Sequence, residues 1–305
     1  MEKILETKFA GLTLSNPIIV ASSGLTNSAS KNKELEKSGA GAIILKSLFE
    51  EQICEKSENE LNDYLNLVRE TKKHCCIPVI ASINFYKNDL WADFAHQIEM
   101  AGADSIEVNI FAFNTELSQE FDSQENAYIQ IAQRLNEVVN IPVIIKIGKY
   151  FSHIVQLVDN LLTAGAKGIS LFNRFYQPDI DINKLQMTSG KVFSSSDEIS
   201  DTLRWTGIIS GRLPQTSIAS STGIHDWEDI VKCILSGASA VEICSTIYQN
   251  GHEIISTMKR GIEEWMHSMH FNSIEDFKGI LNYSSIENPT MYERLQFLRY
   301  FSNRD

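Results

Sequence analysis

Four times along the chain a Gly-Ala pair runs straight into an apolar stretch. The copies are Gly39-Ala40-Gly41-Ala42-Ile43-Ile44-Leu45, Gly102-Ala103-Asp104-Ser105-Ile106-Glu107-Val108, Gly165-Ala166-Lys167-Gly168-Ile169-Ser170-Leu171 and Gly237-Ala238-Ser239-Ala240-Val241-Glu242-Ile243. Successive glycines stand 63, 63 and 72 residues apart. A glycine just past a helix takes the left-handed conformation that a side chain resists. Each copy therefore reads as a helix end followed by a strand start. A βα unit takes roughly 30 residues, so each period holds two units and the chain about eight. That is the arithmetic of a (β/α)8 barrel, whose chemistry sits at the C-terminal ends of its strands.

Eight short, apolar, β-branched runs fit buried parallel strands: 17–22, 41–47, 78–84, 105–110, 142–148, 168–173, 215–221 and 240–245. Two of them open with the same Ile-Pro-Val-Ile entry, at 77–80 and 141–144, a second mark of the two-unit period. Amphipathic segments alternate with the strands at 28–38, 59–74, 90–101, 124–139, 152–164, 225–236 and 246–268. Residues 5–14 predict a hairpin turning near Gly11 that would plug the bottom of the barrel. The stretch 174–214, after the sixth strand, is too long for one loop and predicts a small strand pair and a helix around 198–208. The tail 272–305 predicts two more helices broken at Pro289. No linker or low-complexity segment divides the 305 residues, so a single domain is expected.

Composition removes several function classes. The chain is 43% hydrophobic and 22% charged, with a net charge of −12 and no Lys/Arg-rich run. A nucleic-acid or anionic-membrane partner is disfavoured. No apolar run nears the ~20 residues of a membrane-spanning helix, and the first residues lack the layout of a signal peptide. Five cysteines without a CxxC motif suit packing in a reducing cytoplasm rather than a disulfide framework. They make no iron–sulfur set, and no metal is expected.

Polar residues gather at the expected strand tips: Ser22-Ser23-Gly24, Lys46-Ser47, Asn84, Asn109, Lys146, Asn173, Ser220-Ser221-Thr222-Gly223 and Cys244-Ser245-Thr246. Lys46 and Lys146 each end an apolar run. A buried lysine needs either a carboxylate partner or an anionic or electron-rich ligand. Two such lysines among amides and hydroxyls favour a ligand cage. Three asparagines offer donors and acceptors to a flat heterocycle. The hydroxyl-rich loops after the last two strands suit a phosphate, a common use of that corner of a barrel. The alternative there is a capped helix start at Asp226. A phosphate corner joined to an Asn/Lys cage describes flavin mononucleotide.

On these residues the chain resembles the class 1 dihydroorotate dehydrogenases, and most closely a divergent dihydroorotate-dehydrogenase-like subgroup. The marks are Leu14-Ser15-Asn16-Pro17, Gly39 through Ser47, Glu107-Val108-Asn109, Lys146, Gly237 through Ser245, and Asn173-Arg174-Phe175-Tyr176-Gln177-Pro178-Asp179-Ile180-Asp181, the most specific of them. The resemblance implies an FMN barrel working as a homodimer on a small-molecule substrate. It implies that Ala21, Ser22 and Ser23 line the flavin and that Lys46, Ser47, Asn84, Asn109 and Lys146 bond its ring edge and ribityl chain. Asn173 and Ser195 would lie nearby, and Ser221, Thr222, Gly223, Cys244 and Ser245 would hold the phosphate.

The chain departs from that family where the chemistry is done. The family's catalytic base follows the fourth strand in the pattern Asn-x-Ser-Cys-Pro-Asn, with serine for cysteine in another class. Here the loop reads Asn109-Ile110-Phe111-Ala112-Phe113-Asn114, and Ala112 cannot take a proton. Asn114 keeps the implied substrate contact. The loop Leu48-Phe49-Glu50-Glu51-Gln52-Ile53 is acidic, a poor host for an anionic substrate. Ser220 and Thr222 stand where the family uses glycines. Three functions follow: a flavin oxidoreductase on another substrate, a pyrimidine-like one among the candidates; an inactive FMN-binding regulatory or interaction protein; or a sugar-phosphate barrel with Lys146 as a Schiff-base nucleophile.

Overall fold

The Gly-Ala repeat is a helix cap joined to a strand entry. In every copy the glycine has a positive φ, +103° at Gly39, +98° at Gly102, +107° at Gly165 and +113° at Gly237. Its N–H and that of the following alanine turn back onto the last helical turn, as in Gly165 N–H to Leu162 O (3.0 Å) and Ala166 N–H to Leu161 O (3.0 Å). The third residue then donates to the first residue of the neighbouring strand: Gly41 to Ile18 (2.7 Å), Asp104 to Val79 (2.9 Å), Lys167 to Val143 (2.8 Å) and Ser239 to Ile218 (2.8 Å). One short motif thus ends a helix, reverses the chain and sets the register of the next strand.

A computed structural model describes residues 4–52, 58–84, 91–110 and 123–293. The hairpin comes first, β1 (Thr7–Phe9) and β2 (Leu12–Leu14), turning at Ala10 and Gly11, both with positive φ. The barrel strands are β3 (Ile18–Val20), β4 (Ala42–Ile44), β6 (Val79–Asn84), β7 (Ser105–Asn109), β8 (Val143–Ile147), β9 (Gly168–Leu171), β12 (Ile218–Ser221) and β13 (Ala240–Ile243). They run parallel in that order around the ring, and the pairing of β13 with β3 closes it. β5 (Leu48–Phe49) extends β6 outside the ring. The fold is the expected (β/α)8 barrel with an N-terminal hairpin and an insertion after the sixth barrel strand.

Strand alternation sorts the side chains into two layers. Ile18, Val20, Ile43, Leu45, Ile106, Val108, Ile145, Ile147, Ile169, Leu171, Val241 and Ile243 belong to the large core shared with the helices. The helices are amphipathic in register with it: α5 (Ile154–Thr163) buries Ile154, Leu157, Val158 and Leu161, an i, i+3, i+4, i+7 stripe. The inward side chains divide by height. At the N-terminal end Ile19, Ala42, Ile44, Ile80, Ile144, Ala219 and Ala240 pack on Phe9, Ala10 and Leu14 of the hairpin. A Cβ on Gly168 would lie 2.8 Å from that of Ala10, so the plug requires glycine there. The hairpin seals the bottom, as its sequence predicts.

The remaining helices are α1 (Ala29–Lys37), α2 (Glu58–His74), α3 (Trp91–Met100), α4 (Ser123–Val138), α6 (Ile199–Arg212), α7 (Trp227–Leu235), α8 (Ser245–Asn250) and α9 (Ile254–Ser268). Three expectations change. The helix over 246–268 is two helices, parted at Gly251 with φ +78°. The tail to residue 293 holds only short 3-10 turns at Ile274–Asp276 and Pro289–Met291. Buried Ile274 and Phe277 pin the first turn, and the positive φ of Gly279 bends the chain away from a helix. The strand over 41–47 stops at Ile44, because Lys46 N–H turns to Thr26 O and Ser47 N–H to Ser22 Oγ instead of continuing the ladder. The insertion forms the expected strand pair, β10 (Pro178–Asp181) with β11 (Gln186–Ser189), and then α6.

Candidate functional site

A cavity of about 210 Å³ opens at the C-terminal ends of the strands. Ala21 and Ser22 line it after β3, Lys146 from β8, Phe172, Asn173 and Arg174 after β9, Ser221, Thr222, Gly223 and Ile224 around the end of β12, and Glu242, Cys244 and Ser245 around the end of β13. The insertion supplies its roof through Val192 and Ser194. Ser194 is fixed there by Ser245 Oγ, which accepts from its N–H (3.0 Å), and by His225 Nε2 at 3.0 Å from its hydroxyl.

The floor of the cavity is charged. Lys146 Nζ donates to Glu242 Oε2 and stands 3.9 Å from Glu107 Oε2. Ser170 Oγ lies 2.5 Å from Glu242 Oε1 and 3.4 Å from Glu107 Oε2. Lys146 keeps its charge. Burial alone would lower its pKa, but Glu107 and Glu242 outweigh burial and raise it. Glu107 is the opposite case: burial first, then the neighbouring Glu242, push its carboxyl up to about 8. A run of hydroxyls leaves this cluster, Ser82 (3.5 Å from Glu107 Oε1), Ser47 (2.8 Å from Ser82) and Ser22 (2.9 Å from Ser47). Tyr64 clamps Ser82 from behind, accepting from its N–H at 2.7 Å and donating to its carbonyl at 3.0 Å.

The expected residues divide. Ala21, Ser22, Lys146, Asn173, Ser221, Thr222, Gly223, Cys244 and Ser245 do meet in one cavity. Asn109 reaches it through Asn173, whose Nδ2 donates to Asn109 Oδ1 at 2.6 Å. Ser47 is buried in the hydroxyl run, and Asn84 is buried at the end of β6, away from the cavity lining. Ser23 instead caps the turn Gly24–Thr26. Ser195 caps the turn at Ser196–Glu198, and its neighbour Ser194 takes the place at the cavity. Lys46 is exposed, correcting the expectation of a buried lysine; it lies past the end of β4, where the chain has left the barrel. Lys146 is buried, and its partners are carboxylates of the barrel itself. Ala112 and Asn114 lie outside the described residues.

The phosphate corner has a defined backbone. Thr222 and Gly223 both have positive φ, +81° and +83°. A Cβ on Gly223 would come within 2.2 Å of Ile199 N, so only glycine lets the loop pass the start of α6. Thr222 holds a conformation that glycine usually takes, and its hydroxyl donates to Phe172 O at 3.1 Å. Ser220 points outward to Thr206 Oγ1 (2.8 Å), so it neither crowds the corner nor contributes to it. Asp226 caps α7 by accepting from Asp229 N–H (2.9 Å), the alternative reading of that stretch.

Sequence reading missed Glu107, Ser170, Glu242 and Arg174 as site residues. A signal for the first three exists: all occupy the sixth position of the Gly-Ala repeat, whose side chain points into the barrel, and the first copy holds Ile44 there. Arg174 is held by Glu198 Oε2 at Nε (2.9 Å) and by Val192 O at Nη1 (2.9 Å), while its buried Nη2 has no hydrogen-bond partner among the described residues. A fixed guanidinium with a spare N–H beside a cavity is a ready contact for an oxyanion or carbonyl. These donors suit FMN: hydroxyls and a glycine-permitted loop at one end, amides and a lysine at the other. Lys146 does not suit a Schiff base, since a raised pKa keeps its amine protonated.

Comparison with known proteins agrees with this geometry. A family model for dihydroorotate dehydrogenase matches residues 54–266. Among curated proteins, the catalytic subunits of dihydroorotate dehydrogenase B (NAD(+)) are similar over most of their length. That of Pyrococcus furiosus is 26% identical, covering 90% of this chain and 98% of the relative. That of Thermoplasma volcanium is 25% identical with the same coverage, and that of Caldicellulosiruptor saccharolyticus is 25% identical over 91% and 99%.

Proposed function

The chain belongs to the dihydroorotate dehydrogenase family, and from that premise we propose that it is an FMN-binding oxidoreductase whose substrate is not dihydroorotate. The observation that carries the reading is the meeting of Lys146, Asn173, Ser221, Thr222, Gly223 and Ser245 in one cavity, with Arg174 Nη2 at its wall and without a partner among the described residues. Ser221, Thr222, Gly223 and Ser245 would hold the phosphate, and Asn173, oriented by Asn109, the flat ring with Lys146. When bound, FMN supplies a two-electron acceptor for a hydride. The protein supplies position and charge: Lys146, kept protonated by its carboxylates, favours negative charge developing above it, and Val192 and Ser194 line the cavity from the insertion.

Ala112 argues for the altered substrate. A positioned base is worth a factor of about 10² to 10⁴, and none stands at the family's base position. The acidic Glu50 and Glu51 are further poor neighbours for a carboxylate substrate. The test is the purified chain itself. We expect the visible absorption of an oxidised flavin, with one FMN released on denaturation per chain, and no bleaching by dihydroorotate. A colourless protein that takes up no added FMN overturns the cofactor. Rapid bleaching by dihydroorotate overturns the altered substrate.

A further inference from the structure

Three ionisable side chains, Glu107, Lys146 and Glu242, are buried together, and two are acidic. The groups facing them come from several neighbouring elements: Ser82 from β6, Ser170 from β9, Cys244 after β13, and Tyr64 of α2 behind Ser82. Among the described residues Lys146 is the one cation at the cluster. Two carboxylates against one ammonium leave an uncompensated buried charge, which a single proton removes. One hydroxyl, that of Ser170, bridges the two carboxyl groups, 2.5 Å from Glu242 Oε1 and 3.4 Å from Glu107 Oε2.

The hydroxyl run gives that proton a path. Ser47 N–H donates into Ser22 Oγ (2.8 Å), which leaves the Ser22 hydroxyl hydrogen free to point at Ser47 Oγ (2.9 Å). Ser47 can then donate to Ser82 (2.8 Å) and Ser82 to Glu107 (3.5 Å), so every link can point from the cavity toward the carboxyl pair. Resting on the reading above, we propose that Glu107 and Glu242 share one proton beside Lys146 and exchange protons with the cavity through Ser82, Ser47 and Ser22. A group in the cavity that gives up a proton protonates Ser22 Oγ. Ser22 passes its own hydrogen to Ser47, Ser47 to Ser82 and Ser82 to Glu107. Through Ser170 the proton so taken up is shared with Glu242. One O–H bond breaks and one forms at each link, no electrons move, and the pair, fully ionised at the start, goes from two negative charges to one, which Lys146 balances. The site thereby has a proton acceptor away from the loop of Ala112. The raised pKa of Glu107, about 8, is what a shared proton requires.

The full chain, labelled with carbon-13 at the glutamate carboxyls, tests this by NMR titration from about pH 5 to about pH 10, beyond the ordinary carboxylate range. We expect one carboxyl resonance titrating well above the other glutamates, lost in Glu107→Gln and equally in Glu242→Gln. Ser82→Ala should keep the midpoint but slow proton uptake after a pH jump, followed by the infrared carboxyl band, by about tenfold or more. If Glu107→Gln fails to fold, Glu242→Gln and Ser82→Ala carry the test. No glutamate titrating above about pH 6, or unchanged uptake in Ser82→Ala, overturns the proposal. A chain that titrates this way yet takes up no FMN supports the proton store and refutes the flavin reading.

Discussion

Replacing Lys146 by methionine keeps the volume of the side chain and removes the cation that faces both glutamates of the buried cluster. The carboxylate of Glu242 then faces Glu107 with no counter-charge. Breaking a buried pair in this way costs about 3–5 kcal/mol, but the protein has a cheaper escape: it can bind a proton. Protonating a carboxyl of ordinary pKa 4.5 at about pH 7 costs about 3 kcal/mol, since each pKa unit is about 1.4 kcal/mol. That sets the ceiling. At about pH 5 the same step costs under about 1 kcal/mol. The sign follows from linkage. The folded variant holds one proton more than the natural protein, which the unfolded chain releases above 4.5, so its deficit in stability grows as pH rises from there, by about 1.4 kcal/mol per unit. The natural lysine has its pKa raised, so its own contribution is fully present below 10.5 and fades only as pH climbs through the higher folded value. The assay is urea unfolding of the two proteins at several pH values, reading midpoints at constant slope. Adding Glu242→Gln to Lys146→Met should recover most of the loss and flatten its pH dependence. A loss that is the same at low and neutral pH, or one the second change does not relieve, refutes the ion cluster as the source.

Gly223→Ala puts a Cβ 2.2 Å from Ile199 N at a φ of +83°; we expect about 1–3 kcal/mol of destabilisation and loss of FMN uptake, measured by thermal unfolding and by flavin titration. Ala112→Cys restores the family's base residue; with a dye as acceptor, dihydroorotate turnover should rise by about 10²-fold or more if only the base is missing, and no rise over the natural protein points to the Leu48–Ile53 and Arg174–Asp181 segments as the barrier.

The barrel was legible because its signal is local and repeated. Gly39, Gly102, Gly165 and Gly237 each need a positive φ, and a backbone requirement of that kind shows in any single sequence. The tips of the strands were legible for the same reason: Ser221 through Gly223 and Asn173 stand where each apolar run stops. Lys46 and Lys146 look alike in sequence, each closing an apolar run, and only the structure separates them. Lys46 falls after β4 has ended, where Ser47 N–H has turned to Ser22, while Lys146 sits inside β8 with its partners across the barrel. Those partners are 39 and 96 residues away in the chain. Nothing in a linear pattern says which acid a buried lysine meets. Inward glutamates nevertheless leave a trace, because Glu107 and Glu242 take the repeat position that Ile44 fills with an apolar side chain. Tail residues 272–293 misread as helical because their apolar residues serve as isolated anchors, Ile274 and Phe277, rather than as a stripe.

The two layers of the barrel interior explain why a charged cluster is tolerable where it lies. Below it, Ile19, Ile44, Ile80 and Ile144 pack on Phe9 and Leu14 of the hairpin, an apolar plug with no group that could take a proton. To one side Tyr64 seals Ser82 with two backbone hydrogen bonds. Water is thus kept from the cluster on those sides, which strengthens the attraction of Lys146 for Glu242 and makes an unpaired charge costly. A proton entering or leaving must then use the upper face, where Ser22 stands at the cavity wall and both oxygens of Glu242 are already engaged by Lys146 and Ser170. The hairpin at the bottom of the barrel, distant from any substrate, therefore shapes the chemistry at the top. Opening the plug with Phe9→Ala should do more than cost the about 3–5 kcal/mol of a lost core aromatic. By admitting water beneath Ile19 and Ile144 it should also lower the titration midpoint of the carboxyl pair, and a midpoint that stays put would show that the plug serves stability alone.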